Sequence, residues 1–219
     1  MQNKEKIGIL GGTFNPIHIA HLIMAEYALE ELNLDRILFM PSGNPPHKDK
    51  NLIISNDDRK AMIELAINSN EKFIFSDIEL NRSGKIYTVD TLRILKETNP
   101  DNEYYFIMGE DSLLYFDNWK EPENIVKLAN IVVARRNSGS SCIPTKNNIS
   151  EINKESDKEL LEKKAFLEKE YNTDIFFLNM PNIDISSTVI RDRIKSDKSI
   201  NYLVPKEVLN YIKEKNLYK

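Results

Sequence analysis

The sequence lacks the residues and segments that indicate disulfides, metal–thiolate sites or membrane insertion. Cys142 is the only cysteine among 219 residues, so no disulfide can form within the chain, and it has no neighbouring Cys/His cluster. No apolar run approaches the roughly 18 residues expected of a membrane-spanning helix. The apolar run at residues 7–10 is too short for the core of a signal peptide. We therefore expect a soluble, cytoplasmic protein without a membrane partner.

An excess of positive charge is also missing. The formal net charge is -4 and the isoelectric point is about 5.6, whereas proteins that bind nucleic acid through its phosphates usually carry a basic excess. We expect no nucleic-acid partner, although individual basic side chains can still hold a small phosphorylated ligand. With 41% hydrophobic residues, the chain can form a core of ordinary size. Its length is typical of one domain, and we predict a single domain over residues 1–219.

Short apolar segments alternate with amphipathic segments along most of the chain. This alternation predicts an α/β fold with a single Rossmann-like, doubly wound parallel sheet, followed by two C-terminal helices at 187–195 and 205–213. The predicted strands are 7–10, 36–40, 72–80, 104–108, 131–134 and 175–178. The earlier predicted helices are 18–32, 57–68 and 88–97. Ligands of such sheets bind beyond the carboxyl ends of the strands, where the strand order reverses.

One stretch, at about 137–172, departs from this alternation. It begins with Ser, Gly and Asn residues and becomes a Lys/Glu-rich helix at about 155–170. Such a composition favours a solvated surface insertion over a binding element.

The first predicted strand ends in a turn whose residues suit phosphate. The adjacent glycines Gly11 and Gly12 allow backbone to approach a ligand closely, and the helix that follows offers unpaired N–H groups at its N-terminus. His18 and His21, which lie three residues apart, share one face of that helix and can donate to phosphate oxygens. Taken singly, each feature is also explained by an ordinary turn or by core or surface histidines. A zinc site of the HExxH type is excluded because its Glu and third ligand are absent.

A second group of polar residues opens the predicted helix at 187–195. Ser186, Ser187 and Thr188 stand at its start, with Arg191 one turn later. Helix capping alone accounts for one of the three hydroxyls. All three, together with the fixed fork of donors of an arginine, also suit a triphosphate.

These two segments carry a resemblance to a known family. Residues 11–21 resemble the GGTFDPIHxGH form of the (H/T)xGH signature of the nucleotidyltransferase superfamily, which is typical of bacterial nicotinate-nucleotide adenylyltransferases. Residues 185–191 resemble the ISSTxIR motif of the same family. Asn15 and Ala20 stand where the family usually has Asp and Gly, and neither departure removes an imidazole. The resemblance implies transfer of AMP from ATP to nicotinate mononucleotide, with Mg²⁺ accompanying ATP and His18, His21 and Arg191 as catalytic residues.

The resemblance also implies two sets of ligand-binding residues and no metal-ligating residue. ATP would be bound by both signatures and by a Gly-x-Asp turn after the fourth strand: Gly11, Gly12, Thr13, Phe14, His18, His21, Gly109, Asp111, Ser186, Ser187, Thr188 and Arg191. The mononucleotide acceptor would be bound by residues of the central segments: Asn15, Lys48, Tyr87, Thr88, Tyr115, Trp119 and Arg135.

Each of these segments is assigned to a particular part of the acceptor. Lys48 ends a PPHK loop, which alone is also explained by a rigid turn, but in the family the Lys of this loop reaches the acceptor phosphate. Arg135 matches a basic position of the family and suits the same phosphate. Thr88 lies in a YTxxTL stretch that reads the pyridine carboxylate in the family. Trp119 offers an aromatic face for the pyridine ring, and the family's aromatic residue after this Trp is Lys120 here.

Three alternatives stay open at this point. The first is the same chemistry with phosphopantetheine or nicotinamide mononucleotide as the acceptor. A nucleotide-sensing module would bind adenine nucleotides without turnover, and a nucleic-acid-binding protein is disfavoured by the acidic composition. The sequence also leaves open whether the chain forms a homo-oligomer.

Overall fold

A computed structural model of the chain describes residues 4–43, 53–135 and 155–219. These residues form one six-stranded sheet in the order β3-β2-β1-β4-β5-β6, and every strand pair is parallel. The strands are β1 Lys6–Gly12, β2 Arg36–Pro41, β3 Phe73–Phe75, β4 Glu103–Gly109, β5 Asn130–Ala134 and β6 Ile175–Leu178. The chain adds strands outward from β1 to β3 and then continues with β4 on the other side of β1. The strand order therefore reverses between β1 and β4, and the predicted doubly wound sheet is confirmed.

Helices cover both faces of the sheet, as parallel sheets require. They are α1 Ile19–Glu31, α2 Asn56–Ile67, α3 Thr88–Thr98, α4 Glu110–Leu114, α5 Pro122–Leu128, α6 Glu155–Tyr171, α7 Ser187–Lys195 and α8 Lys206–Glu214. One buried cluster joins the sheet to α1, α2, α7 and α8, and a second joins its other face to α3, α4, α5 and α6. Among the helices of the described part of the chain, none combines the length and apolar character needed to span a bilayer.

The differences from the predicted elements concern short segments. The extended segment predicted at 72–80 is a strand only at Phe73–Phe75, because β3 is an edge strand that pairs with β2 over three residues. Helices α4 and α5, and a 3₁₀ turn at Phe116–Asn118 between them, were not predicted. They are too short to give a helical period of apolar residues.

Helix α6 occupies the Lys/Glu-rich stretch. It connects β5 to β6, and a parallel connection of this kind needs a crossover, usually a helix. Its Leu160 and Leu167 are only 3% and 0% exposed, so this helix contributes to the core although most of its surface is charged. Residues 136–154, which hold the rest of the predicted insertion, lie outside the described residues.

Candidate active site

The candidate site lies at the carboxyl edge of the sheet, where the strand order reverses. Gly12 ends β1 and Gly109 ends β4, and these strands are neighbours. Gly109 is also the residue before α4, and Asp111 lies exposed in the first turn of that helix. The glycine turn of the first signature and the Gly-x-Asp turn are thus side by side, in the position where sheets of this kind bind ligands.

The loop from β1 to α1 is buried and has an unusual backbone. Phe14 is 1% exposed and its φ of 48° lies in the left-handed region, which bulky residues adopt rarely. Asn15 is 4% exposed, and its side-chain oxygen accepts hydrogen bonds from the Tyr218 hydroxyl at 3.1 Å and from the Ile54 N–H at 3.4 Å. The surrounding structure therefore determines the conformation of this loop.

The two histidines form a stacked pair at the start of α1. Their ring centroids are 3.7 Å apart with an interplanar angle of 28°, and the edge of Phe14 meets His21 at 4.9 Å. The backbone N–H of His18 donates to Nδ1 of His21 at 3.2 Å. Because Nδ1 of His21 accepts, the proton of its neutral imidazole is on Nε2, which is a donor.

His18 itself is held in its neutral form. Its side chain is only 5% exposed, and this burial lowers the pKa of the imidazole from 6.5 to about 4. Its Nδ1 is buried and has no hydrogen-bond partner within the described residues. A buried polar atom without a partner costs about 1–3 kcal/mol, so a ligand that bonds to this nitrogen would recover that energy.

The second signature is bonded directly to the first. Ser187 donates through its hydroxyl to the carbonyl of Pro16 at 2.9 Å, and Arg191 donates through Nη1 to the carbonyl of Asn15 at 2.9 Å. These bonds join residues 171 and 176 positions apart. The structure therefore brings together the two segments that the sequence singled out separately.

The other hydroxyls of the second signature serve helix α7. Ser186 accepts a hydrogen bond from the N–H of Val189 at 3.2 Å, which is the helix cap that the sequence indicated as one explanation. Thr188 accepts from Nη2 of Arg191 at 3.2 Å. Both side chains are exposed, and each hydroxyl retains further hydrogen-bonding capacity.

Two of the predicted acceptor segments also meet. Tyr87 precedes α3 and Thr88 is the first residue of that helix. The ammonium group of Lys120 lies 4.8 Å from the centre of the Tyr87 ring and 3.0 Å from a carboxylate oxygen of Asp90. The segment that carries Trp119 is thereby fixed against the N-terminus of α3.

Trp119 is half-buried at the edge of the second core. Its ring contacts Phe116 at 5.5 Å and Phe106 at 5.9 Å between centroids. Tyr115, by contrast, is 67% exposed. The packing on the two phenylalanines fixes the indole while leaving part of its surface accessible.

Two predicted acceptor residues are not placed beside the glycine turn of β1 by the described part of the chain. Arg135 follows β5, and its guanidinium lies 5.9 Å from the centre of the Phe177 ring. The ends of β1 and β5 are two strand spacings apart, roughly 10 Å. Lys48 lies outside the described residues.

Sequence reasoning missed two residues beneath the first signature. Arg59 is fully buried and donates to loop carbonyls, and Tyr218 reaches Asn15 from the end of the chain. Arg59 could have been noticed, because it shares a helical face with the apolar Met62 and Ile63. Tyr218 has no comparable local signal.

The site lies where the strand order of a parallel sheet reverses. It combines a glycine turn, two stacked histidines and a helix that begins with hydroxyl residues followed by an arginine. These features together define a nucleotidyltransferase-type site. Residues 9–193 match the cytidylyltransferase-like family. The chain is 43% identical to a protein of Clostridium novyi (strain NT) named probable nicotinate-nucleotide adenylyltransferase, over 98% of this chain and 100% of the relative. It is 39% identical to the protein of the same name from Lachnoclostridium phytofermentans, over 98% of this chain and 99% of the relative. The chain therefore belongs to the cytidylyltransferase-like family and, within it, to the nicotinate-nucleotide adenylyltransferases.

The fold agrees with a solved structure of more distant sequence. The Plasmodium falciparum nicotinic acid mononucleotide adenylyltransferase complexed with NaAD superposes with a TM-score of 0.73 over 98% of this chain and 97% of that chain. The two sequences are 22% identical, so this likeness bears on the fold alone.

Proposed function

We propose that this chain transfers the adenylyl group of ATP to nicotinate mononucleotide, producing deamido-NAD and pyrophosphate. The observation that carries the proposal is the direct bonding of Ser187 and Arg191 to the loop that leads into His18. This bonding gathers hydroxyl, guanidinium and imidazole donors around one turn at the ligand-binding edge of the sheet. The relatives that share about 40% of its residues carry the name of this activity.

The reaction is an in-line displacement at the α-phosphorus of ATP. An oxygen of the mononucleotide 5′-phosphate forms a bond to the α-phosphorus, and the bond from that phosphorus to the pyrophosphate oxygen breaks. The attacking phosphate is ionised near neutral pH, so no strong general base is needed. Catalysis then consists of positioning the reactants and stabilising the charge that develops.

The two imidazoles suit this task as neutral donors. His18, whose pKa is lowered to about 4 by burial, can bond an α-phosphate oxygen without a change of charge. His21 presents the N–H of Nε2 because its Nδ1 is already occupied by the backbone of His18. We assign His18 to the α-phosphate and His21 to the departing pyrophosphate.

The second signature would bind the outer phosphates. Arg191 uses two of its donors within the protein, and a guanidinium has five N–H donors, so it can hold Asn15 and a phosphate at once. Ser186, Ser187 and Thr188 at the N-terminus of α7 add hydroxyl donors and the positive end of the helix dipole. Gly11, Gly12, Thr13, Phe14, Gly109 and Asp111 would complete the ATP site.

The acceptor would lie along α3 and the segment that carries Trp119. The first N–H groups of α3, beside Tyr87 and Thr88, suit a carboxylate, and the Trp119 ring suits a pyridine. Asn15, Tyr115, Lys48 and Arg135 remain predicted contacts of the acceptor.

The divalent cation that accompanies ATP is expected to be Mg²⁺. In the described ranges of the chain, no group of three His, Cys, Asp or Glu side chains could hold a metal ion, and the cation would be held mainly by the phosphate oxygens of ATP. Mg²⁺ commonly binds in this way, through substrate phosphates and few protein ligands, and it neutralises charge on the triphosphate. A cytoplasmic location stays a prediction from the sequence, and whether the chain forms a homo-oligomer stays open.

The experiment that tests the proposal is pyrophosphate release with ATP and Mg²⁺ against a panel of acceptors. Nicotinate mononucleotide, nicotinamide mononucleotide and phosphopantetheine are assayed in parallel, and we expect a strong preference for the first. A preference for phosphopantetheine would contradict the acceptor assignment of Thr88 and Trp119. Adenine-nucleotide binding without pyrophosphate release from ATP, whichever acceptor is present, would favour the nucleotide-sensing alternative.

A further inference from the structure

Arg59, on the first turns of α2, is a buried charge that no part of the proposed chemistry uses. Its side chain is 0% exposed. Nη1 donates to the carbonyl oxygens of Thr13 at 2.9 Å and of Ser42 at 2.8 Å, and Nη2 donates to Oδ1 of Asn56 at 2.6 Å. One guanidinium thus joins the loop after β1 to the loop after β2.

The described residues around Arg59 do not neutralise its charge. No carboxylate lies within 4 Å of its guanidinium in the part of the chain that the structure describes, and burial lowers the pKa of Arg59. A buried charge without an opposite charge is costly to the folded state. An unpaired charge on an apolar helix face, with neutral oxygens as its partners, points to a role in the site besides this bonding.

The geometry of the two peptide groups bonded to Arg59 indicates its role in the site. The peptides Thr13–Phe14 and Ser42–Gly43 are both trans, and in a planar trans peptide the C=O and the following N–H point in opposite directions. Because both carbonyls point at Arg59, the N–H groups of Phe14 and Gly43 point away from it. Arg59 therefore fixes the orientation of two backbone donors at neighbouring strand ends.

We propose that Arg59 is a positioning residue, which orients the Phe14 and Gly43 N–H groups towards the bound phosphorylated substrates through the carbonyls of Thr13 and Ser42. This inference rests on the proposed adenylyl transfer. The buried positive charge directly beneath the turn also attracts the anionic substrates. Without Arg59, both peptide planes can rotate and the two N–H donors lose their alignment. Because charge builds up on the phosphates in the transition state, this loss weakens binding of the transition state more than binding of the ground state.

The test compares Arg59→Gln and Arg59→Lys with the wild-type enzyme. We expect kcat of Arg59→Gln to fall by about 10- to 100-fold, the range in which small misplacements of catalytic groups act, with a smaller change in the dissociation constant for ATP. Arg59→Lys keeps the charge and donors, so it should recover part of kcat. Assays are run at a temperature where circular dichroism shows each variant folded, since a merely structural role lowers the melting temperature and leaves kcat of the folded enzyme unchanged.

A second pair of variants keeps the test decisive if Arg59→Gln does not fold. Asn56→Ala removes the partner of Nη2 at an exposed position, and we expect kcat to fall about threefold, as for the loss of one hydrogen bond. Asp57→Ala, at the neighbouring and also exposed position, is the matched control and should leave kcat unchanged.

Two outcomes overturn the assignment. A folded Arg59→Gln whose kcat is within about twofold of the wild type would do so, because one hydrogen bond alone is worth more than that. Equal kcat values for Asn56→Ala and Asp57→Ala would do so as well. Failure of the wild-type enzyme to form the dinucleotide would instead contradict the proposed function on which the inference rests.

Discussion

Burial of His18 predicts that the protein loses stability on acidification through this one imidazole. The folded pKa is lowered to about 4 from 6.5, so between these values the unfolded chain binds a proton that the folded protein excludes. The stability that depends on neutral His18 is therefore fully present above pH 6.5 and is lost as the pH falls towards 4. Replacement of His18 by Gln removes the titrating group and with it this part of the pH dependence.

The magnitude follows from the two pKa values. Acidification from pH 7.5 to pH 5 should cost the wild-type protein about 2 kcal/mol of unfolding free energy through His18 alone. The assay is urea-induced unfolding of wild type and His18→Gln at both pH values. Because the carboxylates titrate in both proteins, the difference between the two pH dependences isolates His18.

Two results would refute this reasoning. One is a difference below about 0.5 kcal/mol, which is small against the expected value. The other comes from proton NMR, in which the imidazole signal that disappears in His18→Gln identifies His18 among the three histidines. Titration of that signal near its ordinary pKa would mean that burial does not exclude the proton.

Three further substitutions test other parts of the site. Gly109→Ala meets no atom within 4 Å, so its melting temperature should equal that of the wild type while its KM for ATP rises, and an unchanged KM would remove Gly109 from the nucleotide site. Gly43→Ala would place a methyl carbon 2.2 Å from the carbonyl oxygen of Glu79, and denaturant titration should give a loss of about 1–3 kcal/mol or more; no loss would contradict this close packing. Tyr218→Phe removes the hydroxyl that donates to Asn15 and should cost about 1 kcal/mol and lower kcat, whereas identical stability and kcat would show that the end of the chain does not support the loop.

Much of the fold could be predicted because its signals are local. The predicted bounds of the helix at 187–195 and of the strand at 175–178 equal those of α7 and β6, since a serine cap and a short apolar run mark them. The parallel, doubly wound sheet also follows from the alternation of strands and helices. Short elements such as α4 are too short to show a helical period of apolar residues, so no sequence pattern indicates them.

The resemblance assigned both signatures to one ATP site, but the direct hydrogen bonds between them were not predicted. Glycine, histidine and hydroxyl residues identify each segment by local spacing, whereas the bonds from Ser187 to Pro16 and from Arg191 to Asn15 cross most of the chain. No local pattern predicts such contacts. For the same reason Tyr218 could not have been chosen in advance, while the helical position of Arg59 was a signal that could have been read.

The most direct test of the central claim is to quantify pyrophosphate and deamido-NAD together, with ATP, Mg²⁺ and nicotinate mononucleotide, for the wild type and His18→Ala. The wild type should form both products in equal amounts. His18→Ala should lower kcat by about 100-fold or more, as removal of one transition-state donor does, with little change in the dissociation constant for ATP. Pyrophosphate without the dinucleotide, or equal losses in kcat and in ATP binding, would contradict the account.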